Sequence, residues 1–365
     1  MPGIERREFL AAAGIAGPAF VAGPARARTA PARPSDFGRL SLNESAEAPS
    51  PAVSRAIAAN LDRLNRYVDQ EEVDALARHI AGIERVALEQ IVLGEVLEPL
   101  GLHLAAGAGG GEFVYSTPGY TALIDASAAV GGKGVGIPLN RELRNDLPAL
   151  AAAITPRTLA VSLVNPHNPS GTVEARATLD RFIADAAART LVVVDEAYLE
   201  YADFADSAVR FSRDGANVLT FRTLAKAYGL AGLSIGYAVA PVEHARKLRA
   251  AGVGSPHAQN RLGLVAARAA LDDRAHLAAH VRRVRTERAR LHAALDQLKL
   301  RHTDSRANFV FFESPRPADT VRVRLAQAGL RVARPFPPLD AWIRISIGPP
   351  TETDAVIRAL RSIYS

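Results

Sequence analysis

The chain has no cysteine, one methionine, one tryptophan and only 6% aromatic residues. Without cysteine there are no disulfides and no thiolate metal sites, so the compartment has to be read from elsewhere. A nucleotide-binding loop is missing too. No G-x-x-x-x-G-K-[ST] occurs, and Gly131-Gly132-Lys133-Gly134 has neither the leading spacing nor the hydroxyl. Gly107 to Gly111 precedes a strand-like run and puts Glu112 where a G-x-G-x-x-G needs its last glycine, so it reads as a turn. No H-E-x-x-H is present; His276 and His280 stand four apart with no carboxylate to complete a metal site, and read as a solvent-facing pair. Charge of one sign is also scarce, with 44 Lys plus Arg against 38 Asp plus Glu and a formal charge of +6. The densest basic run, Arg282 to Arg290, has no interleaved aromatics and reads as a solvated helix face, which argues against a nucleic-acid partner.

What is present is a 365-residue chain, 48% hydrophobic, with enough apolar residues for one large domain or two smaller ones. At the start, Ile4-Glu5-Arg6-Arg7-Glu8-Phe9-Leu10 is a twin-arginine stretch, followed by the apolar Ala11 to Ala22 and an A-x-A pattern at Ala25-Arg26-Ala27. In that order these are the parts of an export signal, so residues 1–27 are expected to direct the protein to the periplasm or beyond. No later segment reaches transmembrane length. Residues 28–51, rich in Pro, Ser and Ala, read as an extended arm.

The middle of the chain alternates strand-like and helical runs. Strands are expected at Glu112 to Ser116, Thr158 to Val164, Thr190 to Val194, Val218 to Arg222 and Ile235 to Ala240, with helices such as Thr121 to Val130 and Ala175 to Ala187 between several of them. Leu191 to Val194 is apolar at every position, as a strand covered on both faces must be. This pattern predicts an α/β fold with a mostly parallel sheet over residues 52–255. Residues 256–365 read as a long connecting helix and a smaller α+β domain, its strands at Asn308 to Glu313, Leu330 to Ala333 and Trp342 to Ile347, and its last helix begun by Thr351 and Asp354.

Four polar residues fall at or just past predicted strand ends: Asn168, Asp195, Tyr198 and Lys226. Asp195 ends a buried strand, where open α/β sheets bind ligands. Asn165-Pro166-His167-Asn168-Pro169-Ser170-Gly171 makes a rigid turn that holds the Asn168 amide still, with His167 in a turn role. Lys226 lies among small residues that leave space for a planar ring and desolvate its amine toward the nucleophilic neutral form. One amine, one carboxylate and two hydrogen-bonding groups aimed at one point are what a pyridine-aldehyde cofactor requires.

Together these segments resemble the aspartate-aminotransferase-like, fold-type I family of pyridoxal-phosphate enzymes, and most closely its histidinol-phosphate aminotransferase branch. N-P-x-N-P-S-G at Asn165, D-E-A-Y at Asp195 and the lysine followed by Gly229-Leu230-Ala231-Gly232-Leu233 occur in the family's order. The resemblance covers Leu42 to the C-terminus and implies pyridoxal 5′-phosphate as cofactor, with no metal. It implies that Lys226 bonds the cofactor aldehyde, Asp195 keeps the ring nitrogen protonated, Asn168 and Tyr198 bind the ring oxygen and Tyr120 stacks on the ring. Thr223 and the Gly94-Glu95 turn fall to the cofactor phosphate. Tyr67, in Asn65-Arg66-Tyr67, would reach across a homodimer to the partner's phosphate. Arg344 would clamp the substrate carboxylate, with Arg334 and Asn43 beside the substrate.

Three features depart from the family. Ser234 stands where the arginine of Gly-Leu-Arg is usual, Ala225 replaces a hydroxyl, and the phosphate loop is shortened to Leu93-Gly94-Glu95-Val96-Leu97-Glu98. Arg222 is then the expected substitute donor. The expected activity is transamination between an amino donor and a keto acid. Decarboxylation, elimination or racemisation on the same ring stays open, as does a non-catalytic exported binding protein.

Overall fold

The computed structural model describes residues 38–202 and 206–365. The twin-arginine stretch and the cleavage pattern lie outside them. Eleven strands are found among the described residues: β1 (Arg39–Leu40), β2 (Ile91–Leu93), β3 (Gly111–Thr117), β4 (Gly132–Pro138), β5 (Thr158–Val164), β6 (Leu191–Asp195), β7 (Val218–Thr223), β8 (Gly236–Val239), β9 (Phe309–Glu313), β10 (Arg331–Val332) and β11 (Trp342–Ser346).

Seven of them form one sheet in the order β2-β8-β7-β6-β5-β3-β4. The run from β4 to β7 is parallel, and β8 is antiparallel to both of its neighbours. All five residues of β6 are buried, which follows from helices covering both faces. Each fully buried Val or Leu there contributes about 1.5–3 kcal/mol. Parallel strands all deliver their carboxyl ends to one edge, so Asp195 and Thr223 arrive together with the turns that follow β3 and β5.

The strand β4, which carries Gly132, Gly134 and Gly136, is not among the strands expected from the sequence. Its glycines serve packing. A Cβ at Gly134 would stand 2.8 Å from Ile124 Cγ2 and 3.2 Å from Tyr115, so the helix Ala122–Ala128 can lie close on this edge only if the strand is bare.

Past the large sheet, the helical stretch is two helices, Arg261–Asp272 and Arg274–Gln297, parted at Asp273, whose side chain accepts from His276 N. His280 is buried and pairs with Glu47 and Tyr201, so the expected solvent-facing histidine pair does not exist. Arg288 likewise leaves the solvated face, donating to Ala307 O from a buried position. β9 and β11 pair antiparallel over a second core of Phe309, Phe312, Ile343 and Ile345. β1 pairs with β10 in a two-stranded sheet of its own, and Ala333 N, just past β10, donates to Arg344 O on β11. The last helix, Pro350–Tyr364, starts at Pro349 without a side-chain cap, so neither Thr351 nor Asp354 begins it. Among the described residues no helix is long and apolar enough to cross a membrane.

Candidate active site

Where the strand ends meet the small sheet there is a cavity of about 670 Å³. Its walls include Asn43, Glu95, Tyr120, Asn168, Asp195, Tyr198, Thr223, Lys226, Arg334 and Arg344. Ten of the twelve residues singled out for cofactor or substrate thus converge on one space. Gly94 and Tyr67 are not on its walls.

One wall is a connected network. Tyr198 Oη accepts from Asn43 Nδ2 at 3.1 Å and from Asn168 Nδ2 at 3.5 Å. Asn168 Oδ1 accepts from Arg344, whose other terminal nitrogen donates to Ser41 O at 2.7 Å. Asn43, held in the left-handed region at φ 57°, which asparagine tolerates, gives its N–H to Ser346 Oγ at 3.0 Å and accepts that hydroxyl's proton at 2.9 Å. Sequence reasoning missed Ser346. The signal was available, because alternation along β11 puts residues 344 and 346 on one face.

Arg344 is only 6% exposed, lies over the Phe309 and Phe336 rings, and leaves its Nε buried without a hydrogen-bond partner. Burial lowers its titration to about 10. No carboxylate among the described residues forms an ion pair with it. A buried guanidinium in that state is suited to an anionic ligand. Arg334 is exposed and lies over Phe336.

The floor holds Asp195 and Lys226. Asp195 accepts from Ala197 N at 2.9 Å, and burial pushes its carboxyl up to about 7, with Glu95 adding and Lys226 opposing. A protonated ring nitrogen is the cationic partner this carboxylate lacks, so the residues present fit the ring of a pyridine-aldehyde cofactor. Lys226 Nζ donates to Leu42 O at 3.2 Å, so the arm before the first helix is what positions the amine. Tyr120 is half exposed at the mouth, its hydroxyl raised to about 12 by burial and then by Asp195 and Glu95. His167 is fully buried, faces Ser170 Oγ at 3.0 Å, and is lowered to about 3 by burial, which suits a structural turn.

The remaining wall differs from expectation twice. Gly94, at φ 112°, spends its N–H on Gly236 O at 2.8 Å, so that donor is not available to a phosphate. Arg222 is not a substitute donor. Strand alternation along β7 turns Phe221 and Thr223 to the cavity and Arg222 to the other face, where Glu196, Glu200 and Glu84 lie at 3.2, 3.5 and 3.7 Å. What faces the cavity instead is Glu95, on the same wall as Thr223.

The aminotransferase class I and II family model matches residues 36–361. The chain belongs to that family. A histidinol-phosphate aminotransferase of Moorella thermoacetica is 36% identical over 338 residues, covering 90% of this chain and 86% of the relative. An aromatic amino acid aminotransferase of Cutibacterium acnes is 34% identical, covering 88% and 91%. A histidinol-phosphate aminotransferase of Sinorhizobium meliloti, solved in complex with pyridoxal-5′-phosphate, superposes at a TM-score of 0.79 with 29% identity, covering 89% and 90%. The architecture is therefore the aspartate-aminotransferase-like fold, and the chain is an aminotransferase rather than a non-catalytic binding protein.

Proposed function

We propose that the protein is a pyridoxal-phosphate-dependent aminotransferase, histidinol-phosphate aminotransferase-like, acting on an amino acid or an amino-acid-like amine that carries an anionic group. The observation that carries this reading is Arg344, buried, without a carboxylate, on the same cavity as Lys226 and Asp195. Bound pyridoxal phosphate would supply the electron sink for the pair left when the substrate's α-proton departs. Lys226 Nζ, on the same cavity, would be the base for that proton. Asp195 would hold the proton on the ring nitrogen, Asn168 and Tyr198 would bind the ring oxygen, and Tyr120 would cover the ring face. Arg344 orients the substrate through its unused Nε edge, with Asn43 fixing Tyr198 and Arg334 at the rim. Phe336 and Tyr120 leave apolar surface for an aromatic substrate side chain.

Two finer parts of the reading concern assembly and location. Tyr67 is 87% exposed, yet its segment is rigid: Arg261 donates to the carbonyls of Arg63, Arg66 and Tyr67 while paired with Glu72. A rigidly presented tyrosine beside exposed Leu61 and Leu64 supports a homodimer in which Tyr67 reaches the partner's cofactor. The twin-arginine stretch supports export of the folded protein. The test of function is a panel of amino donors offered to the cofactor-loaded protein, with keto-acid release as readout. Keto products from acidic or aromatic donors are expected; carbon dioxide or ammonia as the product would replace transamination by another reaction.

A further inference from the structure

The wall left for the cofactor's phosphate is acidic. On this cofactor the aldehyde sits between the ring oxygen and the methylene that carries the phosphate. With the aldehyde at Lys226 and the ring nitrogen at Asp195, the oxygen would face Asn168 and Tyr198 and the phosphate arm would face the remaining wall. That wall is Glu95, Thr223, Ala225, Ala231 and Ser234. It carries no arginine, the Gly94 N–H is committed to the sheet, and the helix Leu97–Ala108 begins two residues past Glu95. A carboxylate thus stands at the helix start, where an anionic ligand is favoured.

We propose that Glu95 makes phosphate binding proton-coupled: the arm is accepted when Glu95 is the neutral acid, its O–H donating to a phosphate oxygen, and one proton enters from solvent with the phosphate. The inference rests on the cofactor reading above. As a carboxylate, Glu95 repels the phosphate; as an acid it adds a donor to the hydroxyls of Thr223 and Ser234 on a wall without arginine. The groups facing it are Thr223 on β7 and Lys226 just after it, Asp195 at the end of β6, Tyr120 in the turn after β3, and Glu98 on its own helix. Burial by the cavity walls raises its titration and Glu98 adds to this, while Lys226 and Thr223 oppose it. Of these neighbours only Lys226 is a cation, and it is the group committed to the aldehyde.

The experiment compares pyridoxal 5′-phosphate with pyridoxal, which has the same ring and aldehyde but no phosphate. Affinities of the full-length protein are measured by calorimetry in buffers of different ionisation enthalpy. The range is from about pH 7 to about pH 9, above the second phosphate ionisation near about 6. Expected is a rise of at least about tenfold in the ratio of the two dissociation constants across that range, with about one more proton taken up for the phosphorylated compound. Glu95→Gln should flatten the ratio. A flat ratio in the wild type, or a Glu95→Gln ratio that follows the wild type, overturns the proposal while leaving the cofactor reading intact. Failure of both compounds to bind takes down both. If the variant does not fold, the wild-type ratio and proton count still decide.

Discussion

Two arginines buried to the same degree meet opposite surroundings. Arg222 is 3% exposed and Arg344 is 6% exposed. Arg222 sits among Glu84, Glu196 and Glu200; burial pulls its titration down, but Tyr237 and the glutamates outweigh that and leave it above the usual arginine value. Arg344 has one carbonyl, an amide and two rings for company, and burial, opposed by Tyr198 and reinforced by Arg334, leaves it lowered. A charge with its counter-charges already present is part of the fold. One that lacks them is poised for a ligand, and here it opens onto the cavity that also holds Lys226. Asp195 is its acidic counterpart, buried and without a cation at hydrogen-bond distance.

The largest effect should come from breaking the complete cluster. Arg222→Met strands three buried glutamates and should destabilise the protein by about 3–5 kcal/mol, read as a lower urea midpoint. An unchanged midpoint would remove the distinction between the two arginines.

Arg344→Ala should do the reverse. Stability is expected to stay within about 1 kcal/mol, while kcat/KM falls by about 2–4 kcal/mol, roughly 30- to 1000-fold. Arg344→Lys should not restore it, because an ammonium cannot reproduce the planar fork. A variant that loses stability and keeps its kinetics would make Arg344 a structural residue.

Asp195 extends the comparison to pH. Its folded titration is raised from 3.8 to about 7, chiefly by burial, so the folded protein binds this proton more tightly than the unfolded chain. Without cofactor, its contribution is therefore fully present below the unfolded value and is lost as pH rises toward about 7. Asp195→Asn should stabilise the cofactor-free protein at about pH 8 by on the order of 1–4 kcal/mol, with little change at about pH 4. Urea titrations at the two pH values measure this, and a variant less stable at the higher one would contradict it. The smallest effect belongs to Tyr198→Phe, which removes one donor and should weaken cofactor affinity by about 1 kcal/mol in an equilibrium titration.

Much of this was legible in the sequence, for identifiable reasons. β5 matches the expected Thr158–Val164, and β6 is shifted by one residue, because strands buried on both faces are apolar without interruption. Asn168, Asp195 and Lys226 were readable because each follows such a strand. Arg222 was misplaced for want of one step: strand alternation would have put it opposite Thr223. Gly94 failed as a donor because a backbone N–H can be claimed by a neighbouring strand, here β8, and a sequence does not show which hydrogen bonds are already made. The network through Ser346, Asn43 and Arg344 joins residues about three hundred positions apart, and only the fold brings them together.

The central claim is that Lys226 carries the cofactor. The chain has only four lysines, at 133, 226, 247 and 299, so borohydride reduction in the presence of pyridoxal phosphate, followed by digestion and mass mapping, assigns the attachment point directly. The account predicts a pyridoxyl label on the peptide containing Lys226, together with a visible absorption band lost in Lys226→Ala. No label on that peptide, or a label and band that survive Lys226→Ala, would contradict it.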